Sequence, residues 1–233
     1  SGEPQISTTD EDARALLVQG VVVEVSYNIQ AAVDNKHNLV VATHTINRND
    51  LNALGAIALE AKENLAVETF TVLVDKGYHN GREIDQCKKH NITTIVAHPT
   101  PGRSKESVTQ PEYLVAQFQY NKSDDTYTCP QGETLKTTGK WHKKSGRTEQ
   151  SGYQFKKYRT PACKECPVKH LCTSRTAGRE IDRSQYADAV EENNKRYQEN
   201  PQLYRTRQEI NEHIFGTIKR QWGYNHTNLT GLE

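Results

Sequence analysis

Between residues 21 and 96 the spacing of apolar residues switches repeatedly between strand-like and helix-like periods, and this alternation restricts the fold more than any other feature. Val21 to Val33 (VVVEVSYNIQAAV) is rich in β-branched residues, and Asp34 to Asn38 (DNKHN) has the composition of a turn. Leu39 to Ile46 (LVVATHTI) then reads as a second strand, so the pair predicts a hairpin. Asp50 stands where it can cap a helix running to about Leu65, with Leu51, Leu54, Ile57, Ala58 and Ala61 on one face. Phe70 to Val74 (FTVLV) reads as a buried strand, Asn80 to His90 as a helix and Ile92 to Val96 as another strand. The order β-β-α-β-α-β predicts an α/β fold, a mixed sheet with helices packed on it.

The rest of the chain divides around this core. Residues 1–19 are polar and lack a clear period, although TTDEDARALL has the composition of a short capped helix. Residues 99–111 (PTPGRSKESVTQP) carry a boundary signal of proline, serine and polar residues. Three parts follow: 1–111 as the first part of the α/β domain, 112–183 as a basic cysteine-rich insertion, and 184–233 as helices completing the domain. The helices span roughly Ser184–Glu199 and then Pro201, at a first helical position, to about Trp222.

At 233 residues the chain is long enough to bury one core with a second small module beside it. No apolar run reaches the length of a membrane span, and no signal-peptide pattern opens the chain. Methionine is absent, so Ser1 is not an initiator, and the chain is expected to be a processed product or part of a longer reading frame. The net charge of +1 conceals an asymmetry. Residues 1–100 carry eight Lys/Arg against thirteen Asp/Glu, whereas residues 136–183 carry thirteen against four. A basic block interleaved with Trp141, Tyr153, Phe155 and Tyr158 suits a polyanion such as nucleic acid, or is a solvated basic surface.

Of the five cysteines, Cys87 lies apart in a helical segment. Cys129 sits in YTCPQG, and PACKECPVKHLC supplies Cys163, Cys166 and Cys172 as C-x2-C-x5-C. A two-residue gap lets two thiolates of one turn face one metal, and two further sulfurs complete a tetrahedron. Metal binding would also help a polar insertion with little apolar content to fold. Zinc is the default for four thiolates; one remote cysteine with C-x2-C-x5-C is also a spacing used for four-iron clusters, the alternative.

Asp75 ends the strand FTVLV, at the sheet edge where α/β architectures place ligands. In the last helix, Leu203, Ile210, Ile214, Phe215, Ile218 and Trp222 form one apolar stripe. Glu212 and Lys219, seven apart, align at its border. Flanked by Lys219, Arg205 and Arg220, such an acid can coordinate a cation while the bases hold phosphates.

TDEDARALL, SYNIQAAVDNKHNLVVA, VLVDKGYHNG, the four cysteines and YRTRQEINEHIFGTIKRQWGY together, and in this order, resemble a bacterial insertion-sequence transposase. The resemblance is to the DDE superfamily, in the branch with a Y-x-x-R…E-x6-K signature, and it covers essentially the whole chain. It implies a ribonuclease-H-like fold with a small cysteine-rich metal-binding insertion, and phosphoryl transfer that cleaves and joins DNA at transposon ends. It implies Asp75 and Glu212 as the second and third catalytic acids, holding two Mg²⁺ ions, and Tyr204, Arg207 and Lys219 at the signature positions, as auxiliary groups toward DNA phosphates. Arg207 departs from the pattern: four residues rather than three separate it from Glu212, and a helical wheel turns it toward the apolar stripe. Double-stranded DNA as partner, homo-oligomerisation of the full-length protein, no membrane, and a cytoplasmic, nucleoid-associated location also follow.

That fold needs three antiparallel strands before its first helix, the first carrying the first acid. Only 21–33 and 39–46 are evident, so that strand is expected ahead of Ser1, and the chain alone is expected to be inactive. Asp10 and Asp12 precede the hairpin in what reads as a connecting segment. Two other readings stay open: a non-catalytic DNA-binding or scaffolding metal module, and a nuclease with an iron–sulfur cluster.

Overall fold

The computed structural model describes residues 7–18, 22–99, 109–143, 153–224 and 230–232. The predicted boundary 99–111 lies largely outside the described residues, as does 144–152 of the basic block. The chain forms two compact units, Ser1–Pro99 with Asp188–Glu233, and Thr100–Ala187.

In the first unit, β1 (Arg14–Val18) and β2 (Val22–Ser26) pair antiparallel, with Arg14 opposite Ser26. This corrects the helix predicted for TTDEDARALL. Asp10 does accept from the N–H groups of Asp12 and Ala13, as a cap would. The apolar RALLV, however, finds a β-branched partner in VVEVS, and the cross-strand ladder wins over local helix propensity. The predicted strand 21–33 is broken at Tyr27: β3 (Asn28–Val33) pairs instead with β4 (Val40–Ile46) in the expected hairpin. The Asp34 carboxylate closes its turn by accepting from Lys36 and His37 N–H at 3.2 and 2.7 Å.

Asn49, not Asp50, caps the short 3-10 turn Asp50–Asn52 that leads into α1 (Leu54–Leu65). Leu54, Ile57, Ala58 and Ala61 are buried as predicted, whereas Leu51 is exposed. β5 (Phe70–Val74) and β6 (Ile92–Val96) are parallel, Phe70 opposite Ile92, joined by α2 (Gly81–Lys89). α1 approaches α2 closely at Gly55, whose N–H donates to Glu83 Oε2 at 2.8 Å. A Cβ there would stand 2.7 Å from Gln86 Oε1 and 2.9 Å from Glu83 Oε2, so a larger residue would have to push these two side chains aside.

The second unit is antiparallel: β7 (Gln119–Asn121), β8 (Thr126–Thr128), β9 (Thr134–Thr137), β10 (His142–Lys143), β11 (Gln154–Arg159) and β12 (Glu180–Ser184). Their order is β10-β11-β9-β8-β7, with β12 also on β11. Phe118, Tyr127, Leu135, Tyr158 and Ile181 make a small, largely aromatic core. α3 (Lys169–Cys172) is a single turn beside it.

The chain then returns to the first unit through α4 (Ala187–Glu199) and α5 (Pro201–Gly216). Asn193 on α4 is fully buried and grips Val96 at the end of β6. Its Oδ1 accepts from Val96 N–H and its Nδ2 donates to Val96 C=O, both at 3.0 Å. Pro201 does open α5, but the helix does not run unbroken to Trp222. At Gly216 it passes into a π-helical turn, Thr217–Gln221, with Trp222 N–H donating to Thr217 C=O. None of the α5 residues is buried; its apolar stripe is half-exposed, Leu203 at 41%.

The first unit is thus the α/β, ribonuclease-H-like arrangement expected. Its central strands form two separate pairs, β3-β4 and β5-β6, rather than one continuous sheet.

Candidate functional site

Asp75 follows β5 directly and begins the 3-10 turn Lys76–Tyr78, its exposed carboxylate accepting from Lys76 N–H. The strand end is fixed from the other side by α5. The Tyr204 hydroxyl donates to Val74 C=O at 3.2 Å, and the Tyr204 ring packs edge-on against Tyr197, centroids 4.9 Å apart. Burial raises the Tyr204 hydroxyl pKa; Arg207 opposes that shift and Asp75 adds to it. The Arg207 guanidinium lies 5.3 Å from the Tyr204 ring centroid. The structure therefore brings Asp75, Tyr204 and Arg207 together, with the tyrosine hydroxyl bound to backbone.

Asp75 and Arg207 border a cavity of about 600 Å³ between β3 and β5. Asp75, Asp50, Arg207, Asn211 and Phe215 are among its lining; Glu212, one residue further along α5, is exposed and is not. The predicted alignment of Glu212 with Lys219 assumed a regular helix, and the wider π turn after Gly216 shifts that register. Lys219 Nζ lies 5.8 Å from the Phe215 ring centroid, a cation–π contact on the cavity's helical wall.

Asp50 is the site residue that sequence reasoning reads only as a cap. Its Oδ1 accepts from Asn28 Nδ2 at 2.6 Å and from Gln30 Nε2 at 3.1 Å, so two β3 side chains hold it at the cavity. A Cβ on Gly77 would sit 3.1 Å from Asp50 Oδ2, which explains the glycine of DKGY as a close-approach residue. The Tyr78 hydroxyl pKa is raised by burial first and then by Asp50 and Asp75, so both carboxylates act on one point. Beyond it, His79 and His98 meet edge-on with ring centroids 5.0 Å apart. Burial lowers the His79 pKa, and an Asn194 hydrogen bond partly offsets it.

Asp10 and Asp12 do not line the cavity. The Asp10 carboxylate is taken up by the Tyr27 hydroxyl and its pKa is lowered by that bond, while Asp12 accepts from Leu232 N–H at 3.2 Å.

In the second unit, Cys129, Cys163, Cys166 and Cys172 are all free, half-buried, and border one small cavity of about 30 Å³ with Phe118, Leu135 and Arg179. Cys129 lies in the β8–β9 turn, closed by Gly132 N–H on Cys129 C=O at 2.9 Å. Gly178 has φ +94, and a Cβ on it would stand 2.4 Å from Cys163 Cβ, so only glycine fits against the thiol wall. Burial raises the Cys172 thiol pKa, as do the other three cysteines, while Arg179 opposes. The donor chemistry suits a thiophilic metal, yet among the described residues no group of three or more His, Cys, Asp or Glu is drawn close enough to hold an ion.

The basic block is partly neutralised within itself. Lys156 pairs with Asp125 at 2.6 Å, while Lys157, Arg159 and Arg175 all face Glu180. Arg183 donates to the Tyr127 hydroxyl and stacks 3.6 Å from the Tyr120 ring. Lys136, Lys140 and Lys143 are exposed. Among the described residues no helix is long and apolar enough to cross a membrane.

A family model described as Transposase DDE domain matches residues 24–233. No curated protein and no solved structure matches the chain.

Proposed function

The chain belongs to the transposase DDE domain family, whose chemistry is phosphoryl transfer on DNA, and on that premise we propose that Asp75 and Glu212 are the catalytic acids for strand cleavage and joining at transposon ends. The observation that carries this reading is the bond from Tyr204 to Val74 C=O, which ties the helix bearing Glu212 to the residue before Asp75. Two Mg²⁺ ions, when bound, supply an activated oxygen nucleophile and neutralise charge on the leaving oxygen. Asp75 and Glu212 provide the hard oxygen ligands such ions take. Tyr204 is a positioning residue, Arg207 and Lys219 face DNA phosphates, and exposed lysines of the second unit add sequence-independent attraction to the duplex. With Asp75 and Glu212 as two of the three acids that such chemistry uses, the chain alone is expected to bind divalent ions weakly and neither to cleave nor to join DNA. The full-length protein acts as a homo-oligomer in the bacterial cytoplasm, on the nucleoid.

Iron-mediated affinity cleavage tests the acid assignment. Fe²⁺ in place of Mg²⁺, with ascorbate and peroxide, is expected to cut the backbone next to Asp75 and next to Glu212. Asp75→Ala should remove both cuts; cutting at only one of the two, or elsewhere, overturns the assignment.

Cys129, Cys163, Cys166 and Cys172 form a structural metal site, with zinc the first choice and a four-iron cluster the alternative; four free thiols on one cavity support it. Metal analysis and the absorbance of anaerobically purified protein decide between them. A cluster with nicking of unrelated DNA would favour an iron–sulfur nuclease. DNA affinity that survives loss of both acids but not chelation would favour a non-catalytic binding module.

A further inference from the structure

The four thiols of the second unit share their small cavity with a cation that has no acidic partner among the described residues, Arg179. Its Nη1 donates to Cys172 C=O at 3.4 Å, its guanidinium carbon lies 5.8 Å from the Phe118 ring centroid, and its Nε is buried with no acceptor. A half-buried guanidinium so placed costs free energy until an acceptor and a counter-charge meet it. The cations around it are spent elsewhere. Lys169 also lines the cavity, but its ammonium donates to Thr176 C=O at 2.8 Å, while Lys157, Arg159 and Arg175 converge on Glu180. The surrounding backbone is fixed. Cys172 C=O accepts a second bond, from Thr109 Oγ1 at 3.1 Å. Arg175 N–H donates to Thr173 Oγ1 at 3.2 Å and Gly178 N–H to Arg175 C=O at 3.0 Å, which holds the loop that delivers Arg179. Gly178 then lies so near Cys163 that a Cβ on it would stand 3.3 Å from the thiol Sγ.

We infer that Arg179 is the positioning residue of the four-cysteine site: its Nε–H donates to a thiolate sulfur of the loaded site, and its charge offsets the negative charge that the thiolates leave over. The inference rests on the metal-site reading of Cys129, Cys163, Cys166 and Cys172. Three features fit that reading: four free thiols on one cavity, an orphaned buried N–H beside them, and a glycine where a side chain would meet a thiol. Thiolates in this number outweigh the charge of a divalent ion, and a four-iron cluster held by them is anionic too, so the arginine serves either group. A neutral donor would satisfy the sulfur alone. The guanidinium supplies donor and charge together, and its fork keeps one N–H for Cys172 C=O while others stay available. Outer partners of metal ligands contribute about 10–100-fold in metal affinity.

The test is an anaerobic Co²⁺ titration of the chain in competition with a chelator, read by the thiolate-to-cobalt charge-transfer band. Arg179→Met is expected to weaken Co²⁺ binding about 10–100-fold. Its band should move to longer wavelength, because a sulfur that loses a hydrogen bond gives up electron density more easily. Arg179→Lys, which keeps the charge, should recover part of the affinity. Lys164→Met removes an exposed cation between Cys163 and Cys166 and should stay within about twofold of the parent, with the band unmoved. Where Arg179→Met fails to fold, Arg179→Gln replaces it, with a loss and a band shift in the same direction expected. Unchanged affinity and an unmoved band in the Arg179 variant overturn the inference and leave the cysteine site standing. So does an equal loss in Lys164→Met, which would make the effect one of overall charge. A parent chain without any thiolate-to-cobalt band overturns the metal site itself, and the inference with it.

Discussion

The hydroxyl of Tyr204 donates to the carbonyl of Val74 across 3.2 Å, joining the last long helix to the strand end one residue before Asp75. Val74 is the final residue of β5, so its carbonyl has no further strand neighbour beyond it to define the direction of the chain. The tyrosine supplies that direction. An acid at a strand end is common; an acid whose backbone is anchored by the helix that bears Glu212 is a constrained one.

Tyr204→Phe keeps the ring packing on Tyr197 and removes only the hydrogen bond. Stability in urea should fall by about 1 kcal/mol, the ordinary net value of such a bond. Mn²⁺ affinity should fall with it, because Asp75 loses its anchor. Unchanged stability would show that the bond does not form in solution.

Gly77→Ala places a methyl group 3.1 Å from Asp50 Oδ2, an oxygen that cannot withdraw freely because Asn28 and Gln30 hold its carboxylate. A loss of about 1–2 kcal/mol is expected. The loss should shrink in the Asp50→Ala background, where the opposing atom is gone.

Gly178→Ala is expected to be harsher, since the residue has φ +94 and the new Cβ would meet Cys163 Cβ at 2.4 Å. The second unit should lose on the order of 2–3 kcal/mol and retain less metal on purification. Metal analysis beside thermal melting separates the two effects.

The pH response should come in two windows. His79 has its pKa lowered, mainly by burial, so its neutral form is favoured in the folded state. The stability it contributes is complete above the ordinary histidine value near 6.5 and is lost as pH falls through the lowered one. Melting of His79→Gln should therefore depend less on pH between about 7 and 5 than that of the parent chain.

Asp125 marks the second window. Burial works against its charge, but hydrogen bonds from Lys156, Tyr158 and Tyr120 prevail and hold it at about 2. Its contribution is present above the unfolded carboxylate value and disappears as pH falls from about 4 toward 2. Trp141 fluorescence should report unfolding of the second unit in that range, with a flatter profile in Asp125→Asn.

Local signals made much of the first unit legible. FTVLV and ITTIV are short apolar runs bounded by turn residues, and α1 and α2 carry clear helical faces, so these elements stand where the sequence predicts them. RALLV misleads because its residues suit helix and strand alike, and only the partner VVEVS decides. Asp50 looks like a cap because its true partners, Asn28 and Gln30, lie 22 and 20 residues away. The break in α5 had one local signal, Gly216, which a continuous apolar stripe masked. Arg207 shows the reverse: its displacement toward the apolar stripe was visible on a helical wheel, and the structure places it on the cavity wall.

The central claim is that Asp75 and Glu212 hold the same ions, and a double-mutant cycle on Mn²⁺ binding tests it most directly. Electron paramagnetic resonance titrations would compare the parent chain with Asp75→Ala, Glu212→Ala and the double variant. Shared ions predict that each single change weakens binding and that the double change costs clearly less than the two effects added. Additive losses, or no loss from Glu212→Ala, would contradict the claim.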